Sequence, residues 1–324
     1  MNTPLTYSIN ARSLITYGEI SSERTINKKH NYLFDLSYLG VIDVVGDKSL
    51  DFLQGQLTAD LRLISDIQMV QAAQCNLKGR VLALLDVLQW NGIKLILPKD
   101  LIDATQASLA KTAMLSRVRL QNNSDLKIWG FYLQDKNDLL PEPAYYPENR
   151  YAQAQGAQYC YYHLGDGFYI FILEANLVQD FIKPFIEQHR LLGSLTWHTL
   201  RLQQKQLNIY PESRGLFLPH RIDLHQTPYL SFDKGCYKGQ EIIARTHYRA
   251  TLKHELKLFQ VNTKGTVYSG QKLFKVNEEV EVGEVIDFSF LDKDVYLIAV
   301  SMIKESVTRV RFEGHTEETE LQSK

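Results

Sequence analysis

Apolar positions along this chain switch between a spacing of two and a spacing near 3.6, and the switches mark out its elements. Phe34-Asp35-Leu36-Ser37-Tyr38-Leu39-Gly40-Val41-Ile42-Asp43-Val44-Val45-Gly46 alternates and becomes β-branched, which predicts one strand over 34–46. Asp47 is then placed to cap a helix carrying Leu50, Phe52, Leu53 and Leu57. Residues 71–90 predict two strands about a turn at Lys78-Gly79. Asn91-Gly92, a pair that accepts positive φ cheaply, turns the chain into a third strand at 93–97. An amphipathic helix is expected over 100–114, with strands over 118–120 and 128–133.

Residues 140–151 hold three of the nine prolines and predict a surface connection. A hairpin follows, 158–163 and 168–173, closed by Gly165-Asp166-Gly167. The helix expected over 175–190 contains Pro184 and should kink or break there, and another is expected over 195–207. Beyond 253 the pattern is almost wholly β, with strands expected at 256–261, 271–275, 282–288, 295–301 and 307–312. Short strands at that spacing predict a small antiparallel barrel or sandwich. The fold class is therefore α+β with a terminal all-β unit.

A length of 324 residues suits two or three packed units. The 44% hydrophobic content excludes a disordered chain. With 36 basic and 37 acidic side chains there is no global field for nucleic acid or anionic lipid, so any such contact needs a local patch. Cys75, Cys160 and Cys236 are too few and too scattered for a disulfide framework. Residues 1–12 lack the apolar core of a signal peptide, and apolar runs such as 81–90 are cut, here by Asp86, short of the ~18 residues of a membrane span. The expectation is a soluble protein of a reducing compartment, the cytoplasm, with no membrane partner.

Nothing matches a Walker loop, a GxGxxG after a strand, a GxSxG elbow, an HExxH helix or a CxxC pair. His247 and His254 are seven apart and could share a helical face, but a metal needs further ligands and no metal site is assigned.

One stretch carries chemistry: Ser231-Phe232-Asp233-Lys234-Gly235-Cys236-Tyr237-Lys238-Gly239-Gln240-Glu241-Ile242-Ile243-Ala244-Arg245. A helix starting near Lys238 would set Cys236 at its N-terminal end, where unpaired N–H groups, the helix dipole, Lys234 and Lys238 all favour a thiolate. The alternative is a buried, inert cysteine, the commoner fate of a free thiol. A local dyad with His247 fails on reach, since a continuous helix puts that ring about 14 Å along the axis. Lys234, Lys238, Arg245, Arg249 and Lys253 outweigh Glu241, so the segment is either a patch for phosphates or a folate polyglutamate tail, or a solvated basic surface.

Lys234-Gly235-Cys236-Tyr237-Lys238-Gly239-Gln240-Glu241 resembles the K-G-C-[FYW]-x-G-Q-E signature of the YgfZ family, folate-binding relatives of the glycine cleavage T-protein (aminomethyltransferase). Phe34-Asp35-Leu36-Ser37-Tyr38-Leu39-Gly40 is similar to the F-D-x-S-x-x-G opening of T-proteins. Leu53-Gln54-Gly55-Gln56-Leu57-Thr58-Ala59-Asp60 resembles the L-Q-G-Q-x-T-A-D run of YgfZ. Residues 197–223, ending with Phe217-Leu218-Pro219 and Asp223-Leu224, follow the segment before that family's signature.

The resemblance implies a three-domain, T-protein-like ring around a central channel for tetrahydrofolate or a derivative. It implies a discontinuous folate-binding domain (1–125 plus 196–250), an inserted ferredoxin-like α/β domain (126–195) and a C-terminal antiparallel β-barrel (251–324). It further implies an accessory role in making or repairing iron–sulfur enzymes, including one acting in tRNA modification, with iron–sulfur client or assembly proteins as partners. Cys236 would be the functional thiol within a signature of Lys234, Gly235, Tyr237, Gly239, Gln240, Glu241 and Arg245. Folate contacts would fall on Leu39, on Trp197, and on Gln203, which replaces the T-protein glutamate in Leu200-Arg201-Leu202-Gln203.

The T-protein acidic pair, counted from Gly79-Arg80, falls on Ala83 and Leu84, which move no proton, so glycine cleavage is not expected. Asp86 is a weak substitute, because a two-residue shift in a strand moves a carboxylate about 6–7 Å. Two other activities are weighed. One is a folate-dependent one-carbon transferase of the T-protein type. The other is direct RNA binding through 234–253, against which the near-zero charge argues.

Overall fold

A computed structural model describes residues 3–142, 145–305 and 307–324. The chain opens with a hairpin, β1 (Leu5–Ile9) and β2 (Arg12–Thr16), and one helical turn, α1 (Ile20–Glu23). Next come β3 (Tyr32–Asp35), β4 (Leu39–Val45) and α2 (Ser49–Gln54). A meander of β5 (Val70–Cys75), β6 (Val81–Gln89) and β7 (Ile93–Pro98) leads through α3 (Ile102–Leu115) to β8 (Arg119–Asn123) and β9 (Leu126–Tyr132). Strands β10 (Gln153–Gln155), β11 (Tyr159–Gly165) and β12 (Phe168–Glu174) precede α4 (Val178–Glu187), β13 (Leu191–Leu192) and α5 (Ser194–Gln203). After α6 (Gln240–Arg249) the chain is all β: β14 (His254–Asn262), β15 (Lys272–Lys275), β16 (Glu281–Asp292), β17 (Val295–Ile303), β18 (Arg309–Phe312), β19 (Glu318–Glu320) and β20 (Gln322–Ser323).

Three larger sheets result. One runs β5-β6-β7-β4-β8, the second β10-β11-β12-β9-β3-β13, and the third β19-β18-β15-β16-β17-β14-β20. The hairpin turns form as their sequences require: Asn91 and Gly92 have φ of 48° and 98°, and Gly165, Asp166 and Gly167 have 94°, 51° and 79°.

Four expectations need correction. The single strand over 34–46 is two strands in different sheets, because Asp35 Oδ1 accepts from Ser37 N (2.8 Å) and Leu39 N donates to Leu36 O (2.9 Å), turning the chain between them. Asp47 caps nothing; α2 begins at Ser49, whose Oγ donates to Gly46 O at 2.7 Å. α4 runs unbroken through Pro184. The C-terminal strands form an open ladder rather than a closed barrel. Its two edges are nonetheless consecutive in sequence: β19 pairs with β18, β20 pairs with β14, and only Leu321 separates them. Of the expected 140–151 connection, Pro143 and Ala144 lie outside the described residues, and Pro141 and Pro147 are buried.

The hub is α5. Leu195 packs into the core of the seven-stranded sheet, Trp197 into that of the six-stranded sheet, and Leu202 into that of the five-stranded sheet. A helix buried nearly all round needs no polar face, which is why it shows little amphipathic pattern. Its polar groups are paired instead: His198 Nε2 lies 3.0 Å from Phe288 O, and Thr199 Oγ1 2.7 Å from Ser289 Oγ, pinning α5 to β16.

Candidate functional site

Trp197, His198 and Arg201 project from α5 into a cavity of about 100 Å³, closed by Leu39, Asp86 and Tyr229 among others. Trp197 and Arg201 are four apart and so share a helix face, while Leu84 and Asp86, two apart on β6, share a strand face. Trp197 is held by Phe34 and Phe168, each with ring centres 5.3 Å away.

Asp86 accepts from Gln71 Nε2 (3.0 Å) and from Tyr162 Oη (2.8 Å). Burial raises its pKa, while those hydrogen bonds and the Arg201 charge oppose the rise. The Arg201 guanidinium is buried and lies 5.0 Å above the Phe168 ring, and burial draws its pKa down to about 10. It stays charged at neutral pH, with Nη1 donating to Gln204 Oε1 at 2.7 Å. An acceptor of raised basicity, a guanidinium fork and an indole therefore face one small space. That set suits a flat heterocycle with both donors and acceptors on its edge.

A second cavity of about 200 Å³ shares Leu84, Gln206, Leu207 and Tyr229 with the first. Joined through Tyr229 and Gln206, the two approach the lower end of ligand-sized pockets, about 300 Å³. A larger concavity, about 920 Å³, is an open groove between α3 and β8 whose lining holds no carboxylate.

Of the three residues expected to contact folate, Leu39 and Trp197 line the α5 cavity. Gln203 does not. Two residues past Arg201 it points away from that face, is exposed, and borders a different depression with Arg24 and Leu258. Asp86, set aside as too far along its strand, is the carboxylate that lines the cavity. A count from Gly79 crosses a bulge: Gln74 pairs with Ala83 but Cys75 with Val81, leaving Leu82 extra.

The signature and the Leu53–Asp60 run fold as one unit. Lys234 is 5% exposed, and its Nζ donates to the carbonyl oxygens of Gln54, Leu57 and Ala59, each at 2.7 Å. All three ammonium donors are spent on the open end of α2 and the chain just after it, so Lys234 serves as a staple. Lys238 N donates to Gly55 O (3.1 Å) and Ser231 N to Thr58 O (3.0 Å). The buried Tyr237 ring packs below the Lys234 Nζ, 5.2 Å away. Gly239 has φ +86°, and any Cβ there would collide with Asn76 O. This left-handed residue delays the helix: α6 starts at Gln240, not Lys238, and Gln240 Oε1 accepts from Tyr237 N.

Cys236 therefore lies in the loop before α6, exposed and free, next to Gly235, around which a Cβ would meet nothing within 4 Å. The inert alternative describes Cys75 and Cys160, both buried in strands, with burial pushing the Cys75 thiol up to about 12 and that of Cys160 higher still. Glu241 and Arg245 are exposed on α6. Cys236 is not among the residues lining the cavity. His254 opens β14, so it does not share a helix face with His247.

Among the described residues no helix is long and apolar enough to cross a membrane. No protein-family model matches the chain. It is 28% identical over 292 residues to the tRNA-modifying protein YgfZ of Klebsiella pneumoniae (strain 342), covering 86% of this chain and 88% of that one. It is 25% identical over 228 residues to the protein of the same name from Yersinia enterocolitica, covering 69% of each. In fold it matches the glycine cleavage system aminomethyltransferase T of Bartonella henselae, with a TM-score of 0.76 and 16% identity over 99% of this chain and 93% of that one. Over most of its length the chain is similar in sequence to proteins named YgfZ, and in fold to the aminomethyltransferase.

Proposed function

We propose that the chain binds a reduced folate, tetrahydrofolate or a derivative, in the α5 cavity and supports tRNA modification through it. The observation that carries this reading is the meeting of Asp86, Arg201 and Trp197 at one buried space. When bound, the folate supplies a one-carbon or redox-active heterocycle. Asp86 accepts from its N–H groups, Arg201 donates to its oxygen and nitrogen acceptors, and Trp197 covers a ring face.

On this reading the cavity belongs to a discontinuous unit of residues 1–125 and 196–250. Residues 126–195 form an inserted unit and 251–324 a C-terminal one, the three arranged as a ring. The effect on tRNA passes through iron–sulfur client or assembly proteins in the cytoplasm, with Cys236 as the thiol that meets them. Its support is exposure: it is the one cysteine of the three that solvent reaches.

Calorimetric titration with tetrahydrofolate tests the site. Saturable binding is expected, weakened at least tenfold by Asp86→Asn and untouched by Cys236→Ser; no binding by the wild type rejects the reading. Restoration of tRNA modification in cells lacking the protein, by the wild type but not by Cys236→Ser, tests the thiol.

A second reading gains from Asp86. A buried carboxyl of raised pKa beside the folate site is what a one-carbon transferase needs for proton transfer at nitrogen. Consumption of methylene- or methyl-tetrahydrofolate, lost in Asp86→Asn, would favour it.

A further inference from the structure

Away from the cavity, three imidazoles meet beside the signature helix. His220 comes from the tight turn Pro219–Ile222 and His225 from Leu224–Gln226, with Asp223 reversing the chain between them at φ +53°. His247 comes from the last turn of α6. The ring centres are 4.9 Å (His220 to His225), 5.8 Å (His220 to His247) and 6.4 Å (His225 to His247) apart. Imidazoles on a tetrahedral ion, with nitrogen–metal bonds of about 2.0–2.1 Å, hold their ring centres about 5 Å apart.

His220 is the floor of this cluster. It is 2% exposed, and neither of its ring nitrogens has a hydrogen-bond partner. Nδ1 of His225 is likewise buried without one. A buried ring with two orphaned nitrogens is costly unless something else meets them. Phe232 stacks on His247 with centres 3.9 Å apart, covering one face of the third ring from the signature side.

We propose that His220, His225 and His247 form a binding site for a late first-row divalent transition ion such as Zn²⁺, with the remaining position open to water. With the side chains as they stand, no group of three His, Cys, Asp or Glu among the described residues is placed to hold a metal ion. Capture therefore turns the imidazoles about χ2, a soft torsion for histidine. An ion held there would tie α6, and with it the loop of Cys236, to the 219–226 turns.

The test uses the tag-free full chain, stripped with a chelator and titrated with Co²⁺. One equivalent is expected to bind with the visible bands of a four-coordinate ion and to be displaced by Zn²⁺. His247→Ala, at the exposed ring, should lower the affinity at least tenfold, and His220→Phe should do the same while keeping the buried volume filled. His254→Ala should leave it unchanged. Thermal unfolding of the metal-free variants confirms that each is folded. No saturable binding at one equivalent, or an unchanged affinity in His247→Ala, overturns the proposal.

Discussion

Tyr162 Oη donates to Asp86 Oδ2 at 2.8 Å, so a strand of the six-stranded sheet clasps a strand of the five-stranded sheet beside the cavity. Tyr162 is buried, Asp86 lines the cavity, and the bond favours the ionised carboxyl.

Tyr162→Phe removes that donor and should destabilise the protein by about 1.5–3 kcal/mol at pH 7, measured by urea unfolding. The missing bond leaves the carboxyl pKa higher still. The difference from wild type should therefore be largest where Asp86 is ionised and shrink as acid neutralises it. A difference that grows on acidification would contradict the assignment.

Lys234→Met strands three carbonyl oxygens at the end of α2 and should cost about 2–4 kcal/mol. Arginine should not rescue it, since a planar fork cannot point at three convergent acceptors. Burial also draws the Lys234 ammonium down from 10.5 to about 8, so the unfolded chain holds this proton more tightly than the folded one. The resulting penalty on folding is full below about pH 8 and fades towards 10.5. Between those values the wild type should gain stability relative to Lys234→Met, and a flat difference would show that the three carbonyls hold the proton in place.

Gly130→Ala separates packing from backbone strain. A Cβ at Gly130 would lie 2.6 Å from the Trp197 ring. Overpacking of this kind costs about 1–3 kcal/mol. Displacement of Trp197 should also shift its fluorescence and weaken folate binding. Gly239→Ala should cost a similar amount for a different reason, its left-handed backbone and the Asn76 carbonyl, and should leave the Trp197 emission unchanged.

Native alkylation should label one thiol of the three. Cys236 is exposed, whereas Cys75 and Cys160 are buried. Cys236→Ser should abolish labelling of the folded protein while changing its stability by less than about 0.5 kcal/mol, as expected at an exposed site. Residual labelling at Cys160 would refute the placement of β11 in the core.

Much of this molecule could be read from its residues, and the failures share a cause. The hairpins at Asn91-Gly92 and Gly165-Asp166-Gly167 are legible because positive φ is a local demand that names its own residues. The strand over 34–46 breaks at a bond from Asp35 to Ser37 that alternation does not register. Leu39, Trp197 and Asp86 line one cavity, whereas Gln203 borders another. Helix phase decides the case of Gln203, and Asp86 lies on the same strand face as Leu84, the counted position, so both line the cavity. The three imidazoles were beyond reach for another reason. His220 and His225 precede the signature, and only the docking of α6 on their turns sets them against His247.

α5 is ten residues long and feeds the interiors of all three larger sheets. A cut just before residue 194 would part the five- and six-stranded sheets from that shared axle, and a cut after residue 250 would part the seven-stranded sheet from it. The chain should accordingly melt as one unit, with no fragment that survives protease by itself. A small molecule lodged against Trp197 and Arg201 would stiffen regions far apart in sequence by gripping the rod they have in common.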